Sequence, residues 1–420
     1  MLRYRTPILA TLLAAALLAA GPALAASPAL AAGWTVVPIP PSGQNAFVIG
    51  LAADGGTDAW AVGTVNRTGG AAPGPLIDHW NGTAWHVAAA PAYPASDLVN
   101  LDAVSTSGGA DAWAGGFTET GGGGGQPFPT AAHWNGTAWA IVPPASITIG
   151  GQPVSNYLVG LADLGPADAW AVDDCTPEAT GFVEHWDGKA WSVVPVPDPN
   201  PVHPGMTQSL SAISADSAHD VWAVGDYLIR TGPASDRYET YTLHWNGTSW
   251  RVVHMPKVAG TNDLEAYQFN AIDAISPDNV WAVGDAGINV TTIGTPSRTL
   301  IEHWNGTAWS IVPSPKGGTA PFLDGVAAVG PASIWAVGSD TRAGGQPQTL
   351  ALHWNGTAWT RAPSPTVGGA SRLVTASAIP GGSGIWVAGY SGTSGSFNPL
   401  ALRTTASRSA GSPFRVQPAS

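Results

Sequence analysis

Cysteine is almost missing from this sequence of 420 residues, in which Cys175 stands alone. A single cysteine cannot form a disulfide within the chain, so packing must hold the fold together. Charged residues are also scarce, at 10%, and acidic residues outnumber basic ones to give a formal net charge of −12. Without a basic surface, neither nucleic acid nor an anionic membrane is an expected partner.

Long apolar runs are missing after the first 32 residues, so we expect no membrane span there. The N-terminal residues combine two arginines with an apolar run from Ile8 to Ala20 and small-residue triplets that end at Ala25 and Ala31. This order is typical of a Sec-type signal peptide. We therefore predict a signal peptide and short linker over residues 1–32, and a secreted, extracellular protein.

Tryptophan, in contrast, is abundant, and its 20 copies follow a repeat. The string Asp-Ala-Trp-Ala-Val-Gly at 58–63 recurs in seven versions whose tryptophans are spaced 51 to 59 residues apart. These tryptophans are Trp60, Trp113, Trp170, Trp222, Trp281, Trp335 and Trp386. A repeat of about 50 residues is typical of a solenoid or a propeller.

A second string, His-Trp-Asn-Gly-Thr-Ala-Trp at 79–85, follows the first of these copies. It recurs at 133–139, 303–309 and 353–359, with close variants at 185–191 and 244–250. Asn-Gly is a strong hairpin signal, because a type I′ turn needs positive φ at both of its central residues. The string therefore predicts a corner between two strands.

Each of the first six units contains four segments with strand character, which in the fifth unit are 269–275, 280–283, 299–304 and 308–312. The Ala-Trp-Ala-Val segment is apolar on both faces, as expected of a strand buried between neighbouring sheets. No helical segments alternate with the strands, which excludes most α/β folds. The sequence thus predicts an all-β, seven-bladed β-propeller of four-stranded antiparallel blades over residues 33–405, followed by a C-terminal tail at 406–420.

The seventh unit has only three predicted strands, at 373–378, 385–388 and 400–403, and lacks the second string. Trp34-Thr-Val-Val resembles the strand that follows Asn-Gly in other units, so it can supply the missing fourth strand and close the ring. Residues 413–418, Pro-Phe-Arg-Val-Gln-Pro, are a competing candidate. We favour the N-terminal strand because it carries the tryptophan of the repeat.

The units resemble kelch-type blades, as in the central domain of galactose oxidase. They share a strand that ends in glycine, a variable connection, a strand that ends in an aromatic-rich turn, a following tryptophan and a closing proline segment such as 312–315. Only the second unit has the family's glycine doublet, Gly115-Gly116, and His-Trp-Asn-Gly stands where the family has Tyr-Asp-Pro. The turn also resembles, more weakly, the Asp-box of sialidase-like propellers, with Asp187-Gly188 as the nearest match.

The histidine of the second string recurs once in each of the first six units, and imidazole is a common metal ligand. These residues are His79, His133, His185, His244, His303 and His353. Neighbouring copies in a propeller lie more than about 10 Å apart, whereas one ion needs several ligands at about 2 Å. We expect hydrogen bonding within or between blades and predict no metal site and no cofactor. A small-ligand pocket once per blade, as in some propeller lectins, is the alternative.

Function is expected where the repeats differ. The two uniform turns of each blade share one rim, named here the turn rim, while the irregular connections share the opposite one, the variable rim. Polar residues concentrate on the variable rim of the third to fifth units. The candidate ligand-binding residues are Asp173, Asp174, Asp226, Tyr227, Arg230, Arg237, Tyr238, Glu265 and Tyr267; no catalytic residue is assigned.

Three functional hypotheses remain open at this point. The first is a monomeric binding protein whose ligand, an extracellular glycan or protein, lies on the variable rim. The second is a propeller glycoside hydrolase or lyase, which needs carboxylates that meet in space and would lose activity on replacement of Asp173, Asp174 or Asp226. The third is a purely structural role in the cell envelope.

Overall fold

The computed structural model describes residues 33–40, 44–67, 71–121, 125–149, 151–175, 181–201, 208–230, 236–258, 265–289, 298–341, 345–393 and 396–404. Within these ranges lie seven four-stranded antiparallel sheets and one small two-stranded sheet. The predicted all-β, seven-bladed propeller is therefore confirmed. These residues include no helix of the length and hydropathy that crossing a membrane requires.

The strands follow one order along the chain, beginning with β1 (Trp34–Val36), which joins the last sheet. Blade 1 contains β2 (Gln44–Ala53), β3 (Ala59–Asn66), β4 (Gly74–Trp80) and β5 (Trp85–Val87). Blade 2 contains β6 (Leu98–Gly108), β7 (Asp111–Glu119), β8 (Pro127–Trp134) and β9 (Trp139–Ile141). A hairpin of β10 (Thr148–Ile149) and β11 (Gln152–Pro153) follows. Blade 3 contains β12 (Asn156–Gly165), β13 (Asp168–Cys175), β14 (Phe182–Trp186) and β15 (Trp191–Val194).

The second half of the ring repeats this order. Blade 4 contains β16 (Gln208–Ser217), β17 (Asp220–Arg230), β18 (Asp236–Trp245) and β19 (Trp250–His254). Blade 5 contains β20 (Glu265–Ser276), β21 (Asn279–Asn289), β22 (Arg298–Trp304) and β23 (Trp309–Ile311). Blade 6 contains β24 (Ala320–Gly330), β25 (Ser333–Thr341), β26 (Pro347–Trp354) and β27 (Trp359–Ala362). Blade 7 contains β28 (Ala370–Ala378), β29 (Ile385–Thr393) and β30 (Ser396–Thr404), completed by β1.

The ring is closed by the N-terminal strand. β1 pairs with β30, with Trp34 opposite Thr404 and Val36 opposite Leu402. Trp34 is buried and its ring lies 5.4 Å from that of Trp335 in blade 6. The strand around Trp34 therefore takes the place predicted for it, and the competing segment 413–418 lies outside the described residues.

The first strands of the blades surround the axis of the ring, because each contacts the first strand of the next blade and β28 contacts β2. The second strands are buried on both faces, as in Ala59–Val65 of blade 1. A bulge in β2 between Val48 and Gly50 brings the two strands so close that a Cβ on Gly63 would overlap the carbonyl oxygen of Phe47. The glycine of the Trp-Ala-Val-Gly string is thus required by this close approach.

The repeated tryptophans pack one blade against the next. The ring of Trp60 lies 5.0 Å from the rings of both Trp134 and Trp139 in blade 2. The contact that closes the circle is the same, since Trp386 of blade 7 lies 5.1 Å from Trp80 and 5.3 Å from Trp85 in blade 1. The tryptophans therefore form an aromatic belt between blades, in the edge-to-face and tilted geometries that such pairs prefer.

The Asn-Gly corner differs from the predicted type I′ turn. In blade 5, Trp304 pairs with Trp309, so four residues rather than two form the loop, and of these only Gly306 has positive φ. The Oδ1 atom of Asn305 accepts hydrogen bonds from the backbone N–H groups of Thr307 and Ala308, each at 3.0 Å. The side chain of asparagine thus satisfies the loop's donors, which removes the need for a mirror-image turn.

Candidate functional site

Each motif histidine is held within its own blade. Nε2 of His79 lies 2.8 Å from Oδ1 of Asp58, and the imidazole packs 4.3 Å from the ring of Trp60. The equivalent pairs are His133 with Asp111, His185 with Asp168, His244 with Asp220, His303 with Asn279 and His353 with Ser333. The expected hydrogen bond of the histidines is therefore present within each of the first six blades.

Blade 7 replaces this histidine with Arg403. Its guanidinium carbon lies 5.3 Å from the ring centre of Trp386, so a cation occupies the place where the other blades stack an imidazole. Both arrangements cover the tryptophan of the second strand and stabilise the turn rim.

A groove of about 500 Å³ opens between blades 1 and 2. Trp60, His79, Trp134 and Trp139 line one side, and the connection from His86 to Ala92 lines the other. Nε2 of His86 already lies 2.8 Å from Nδ2 of Asn81. The groove's aromatic walls are the same residues that pack the two blades together, so its shape follows from the scaffold.

Two of the predicted residues of blade 4, Asp226 and Tyr227, each make a side-chain hydrogen bond. The hydroxyl of Ser209 donates to Oδ1 of Asp226 at 2.9 Å, and the Tyr227 hydroxyl donates to Oε2 of Glu239 at 3.0 Å. Nζ of Lys257 lies 4.0 Å from the same carboxylate. The structure thus brings Tyr227 and Glu239 together on adjacent strands.

The other predicted residues are more scattered. Tyr238 is half-buried on β18, and Tyr267 packs against the apolar core between blades 4 and 5. Asp173 and Asp174 are buried, with exposed fractions of 0% and 8%. The side chains of Arg230, Arg237 and Glu265 lie outside the described part of the chain, so the role assigned to the group stays a prediction.

A second polar group, absent from the prediction, lies on the innermost, first strands of blades 5 to 7 and on the adjacent strand β21. We call Asn270, Asp285, Phe322, Asp324 and Arg372 the inner-strand cluster. The Arg372 guanidinium donates to both carboxylate oxygens of Asp324, at 2.7 and 3.0 Å, and its central carbon lies 4.8 Å from the ring centre of Phe322. About a quarter of the Arg372 side chain, 27%, stays exposed.

Asp285, on β21, joins this cluster through hydrogen bonds. It accepts hydrogen bonds from the Asn270 side chain at 2.9 Å and from the Leu323 backbone at 3.0 Å. Burial raises the pKa of Asp285 to about 8, and the nearby charge of Asp324 adds to the shift. The cluster therefore holds an arginine, two carboxyl groups and an aromatic ring in one fixed arrangement.

The sequence contained one signal for this cluster. Asp285 follows Gly284 as Asp226 follows Gly225, so a comparison of the repeats that includes Asp226 also points to Asp285. Asn270 and Asp324 lie at the bulges of β20 and β24, where the alternation of side chains along a strand is interrupted. Their direction could not be read from the pattern.

A buried pair of carboxyl groups lies in blade 3. Asp173 and Glu184 are both 0% exposed and interact with each other. Burial raises the pKa of Asp173 well above its usual range, and the charge of Glu184 adds to that effect. Oε2 of Glu184 accepts a hydrogen bond from the backbone N–H of Ala145 at 2.8 Å. The pair has no exposed surface through which a polymeric substrate could reach it.

Comparison with known proteins identifies the fold but no family. The sequence matches no family model and no curated protein. The solved structure of YCF48 from Cyanidioschyzon merolae is 15% identical, with a TM-score of 0.52, over 89% of this chain and 98% of that one. A polysaccharide lyase of family PL25, an ulvan lyase bound to -[GlcA(1-4)Rha3S]-, is 13% identical, with a TM-score of 0.52, over 83% and 92%. At such identities the likeness shows the propeller fold alone, and the kelch-like assignment stays a prediction.

Proposed function

We propose that this protein is an exported binding propeller whose ligand is a neutral, hydroxyl-rich glycan held on the variable rim. The observation that carries the proposal is the inner-strand cluster, where the Arg372 guanidinium is fixed by Asp324 and by the ring of Phe322 and stays 27% exposed. Polar groups fixed beside aromatic rings are typical of ligand sites that orient their ligand. The signal-like residues 1–32 support export.

Charge favours a neutral ligand. The chain has a formal net charge of −12, and Asp324 already neutralises the arginine of the cluster. An anionic polymer would therefore be repelled over most of the surface, whereas the hydroxyl groups of a neutral sugar can donate to carboxylate and amide oxygens. Saccharide rings also present an apolar face that packs on aromatic side chains such as Phe322.

The enzyme hypothesis has weaker support. Glycoside cleavage needs two carboxyl groups in contact with the substrate. One pair, Asp173 and Glu184, is 0% exposed. In the inner-strand cluster, Asp285 is held by Asn270 and Leu323 and Asp324 by Arg372, and Asp226 is engaged by Ser209. Binding without turnover is therefore the favoured function.

Binding of the purified protein to an array of neutral and acidic polysaccharides tests the proposal. Arg372→Lys keeps the charge but removes the paired hydrogen bonds to Asp324, so we expect the Kd for a neutral glycan to rise about 10-fold or more. Thr307→Ala on the turn rim is the matched control and should leave the Kd unchanged. If Thr307→Ala loses binding while Arg372→Lys binds as the wild type does, the binding site lies on the turn rim instead.

Two further outcomes decide between the hypotheses. If the protein binds no polysaccharide class above background, the glycan proposal is contradicted and a protein partner is favoured. Release of new reducing ends or unsaturated products from a bound polysaccharide would establish the enzyme hypothesis instead.

A further inference from the structure

The interface between blades 2 and 3 departs from the repeat at three positions, and the first is Asp173. The six other blades have glycine at this position: Gly63, Gly116, Gly225, Gly284, Gly338 and Gly389. In all six, an added Cβ would overlap a carbonyl oxygen of the first strand. Blade 3 therefore accepts a side chain, and an ionisable one, where the repeat excludes any.

The second departure is Ala145, six residues after Trp139. The six equivalent positions after the other fourth-strand tryptophans are proline: Pro40, Pro91, Pro197, Pro256, Pro315 and Pro365. Proline has no backbone N–H, so Ala145 is the copy able to donate, and its N–H bonds Oε2 of Glu184 at 2.8 Å. The substitution thus orients the carboxyl group of Glu184.

The third departure is Gly115 in blade 2, where five blades have valine and blade 7 has Ala388. A Cβ at Gly115 would overlap the side chain of Leu158 in blade 3. Leu158 lies directly opposite Asp173 in the sheet. Opposed residues share one face of a sheet, so the Asp173 side chain, like that of Leu158, points toward blade 2. Removal of the valine side chain makes room at the place where blade 3 carries its extra carboxyl group.

The atoms gathered at this interface have too few partners. Both oxygens of Asp173, Oε1 of Glu184 and Nδ2 of Asn156 are buried without a well-formed hydrogen bond to another described residue, and the Asp173 carboxyl interacts only with the side chains of Glu184 and Asn156 and with the charge of Asp174. Asn156 is 1% exposed, and its amide lies close to the Asp173 carboxyl. The ion pairs found in the same part of the chain bring no lysine, arginine or histidine to either carboxyl group. Two buried carboxyl groups and an amide thus converge without a counter-charge, an arrangement that is costly unless a cation completes it or a shared proton neutralises it.

We infer that Asp173, Glu184 and Asn156 bind a Ca²⁺ ion between blades 2 and 3. Carboxylate and amide oxygens are its usual ligands, and its irregular coordination suits a site built from three strands. The described residues contain no group of three His, Cys, Asp or Glu side chains placed for a metal; the site that we infer has two carboxyl groups, with the amide of Asn156 as its third side-chain ligand. A 180° rotation of its amide turns the oxygen toward Asp173.

Calcium binding is coupled to folding at such a site, because the ligands come from β12, β13 and β14 and converge only in the folded blade. The ion stabilises the protein rather than touching the glycan, so the inference does not depend on the proposed function. It also gives a physical reason for the three departures from the repeat, which otherwise leave two carboxyl groups in contact in an apolar interface.

The test is the melting temperature of the full chain, measured after dialysis against a chelator and again with about 1 mM Ca²⁺. We expect Ca²⁺ to raise the Tm by about 4 °C or more, with one ion retained per chain by elemental analysis. Asp173→Gly restores the residue of the other six blades, so it should fold and lose both the shift and the ion. Glu302→Gln removes a buried carboxyl group of blade 5 whose pKa is raised by burial and not by a neighbouring carboxyl group. This variant should keep both the Ca²⁺-dependent rise in Tm and the bound ion.

Two results would overturn the inference. The first is a Tm and metal content that do not respond to Ca²⁺ while Asp173→Asn stabilises the protein at neutral pH, because the two carboxyl groups then share a proton instead. The second is a response that survives Asp173→Gly. If Asp173→Gly does not fold, Ca²⁺ is titrated calorimetrically into Glu184→Gln instead. Binding that survives this change would likewise overturn the inference.

Discussion

Blades 3 and 5 bury a glutamate at the same position of their third strands, but the two carboxyl groups meet different surroundings. Glu184 accepts the N–H of Ala145 and lies against Asp173. Neither oxygen of Glu302 has a partner among the described residues, and the equivalent positions hold Pro256 and Gly284. The comparison shows that the connection and the neighbouring strand, rather than the repeat position itself, decide the chemistry of a buried acid.

The largest effect is expected from giving blade 5 a side chain where blade 3 has one. Gly284→Ala places a Cβ against the carbonyl oxygen of Gln268, so β20 must move. We expect the free energy of unfolding to fall by about 2–4 kcal/mol, measured by urea denaturation. The reverse change in blade 3, Asp173→Gly in the presence of chelator, should cost much less. Equal losses in the two blades would contradict the view that blade 3 has adapted to its side chain.

The second prediction concerns the protonation of Glu302, whose pKa burial raises from 4.5 to about 8. Between these values the folded protein holds a proton that the unfolded chain has released, so stability falls as the pH rises through this window. Glutamine cannot ionise. Glu302→Gln should therefore raise the free energy of unfolding by about 1–3 kcal/mol at pH 8.5 and change it little at pH 5.

The matched control for this change is Asp187→Asn on the exposed turn of blade 3. Hydrogen bonds from the backbone N–H groups of Ala190 and Lys189 lower the pKa of Asp187, so the control should give no gain at high pH. Unfolding curves at pH 5, 7 and 8.5 make the comparison. A gain for Glu302→Gln that is equal at all three pH values would show that packing, not ionisation, is responsible.

The smallest effect is expected from making the connection of blade 3 like that of blade 5. Ala145→Pro removes the N–H that bonds Glu184, and leaving this buried acceptor unpaired should cost about 1–2 kcal/mol. Pro256→Ala is the reverse change at the equivalent position and should cost less than about 1 kcal/mol, mainly through the unfolded chain. Thermal unfolding of the pair provides the measurement, and equal losses would mean that the hydrogen bond of Ala145 contributes nothing.

Much of the architecture could be predicted from the sequence, because the tryptophan repeat reports packing directly. Trp60 and its copies mark the second strands, and the position of Trp34 predicts ring closure. The hairpin of β10 and β11 was not predicted, because strands of two residues carry no periodic signal. The turn type was wrong because Asn305 uses its side chain, which propensity at the backbone does not reveal.

The sites were harder to predict than the fold. Arg372 and Asp324 lie 48 residues apart in neighbouring blades, so their pairing depends on the register of two sheets. Asp173 was selected as a polar residue of the variable rim, yet it lies on the face that blade 2 covers. Whether a polar residue near the end of a strand points to solvent or to a neighbouring blade depends on the bulge of the first strand, which the sequence pattern does not show.

Closure through β1 also has a consequence for how the ring is built. Trp34 is among the first described residues to be synthesised, yet its partner Thr404 comes almost at the end of the chain. β1 therefore has no partner strand until β30 has been synthesised. A contact of such high sequence separation carries a large cost in chain entropy and slows folding. The pairing of β1 with β30 therefore makes ring closure depend on a contact between strands near opposite ends of the described chain.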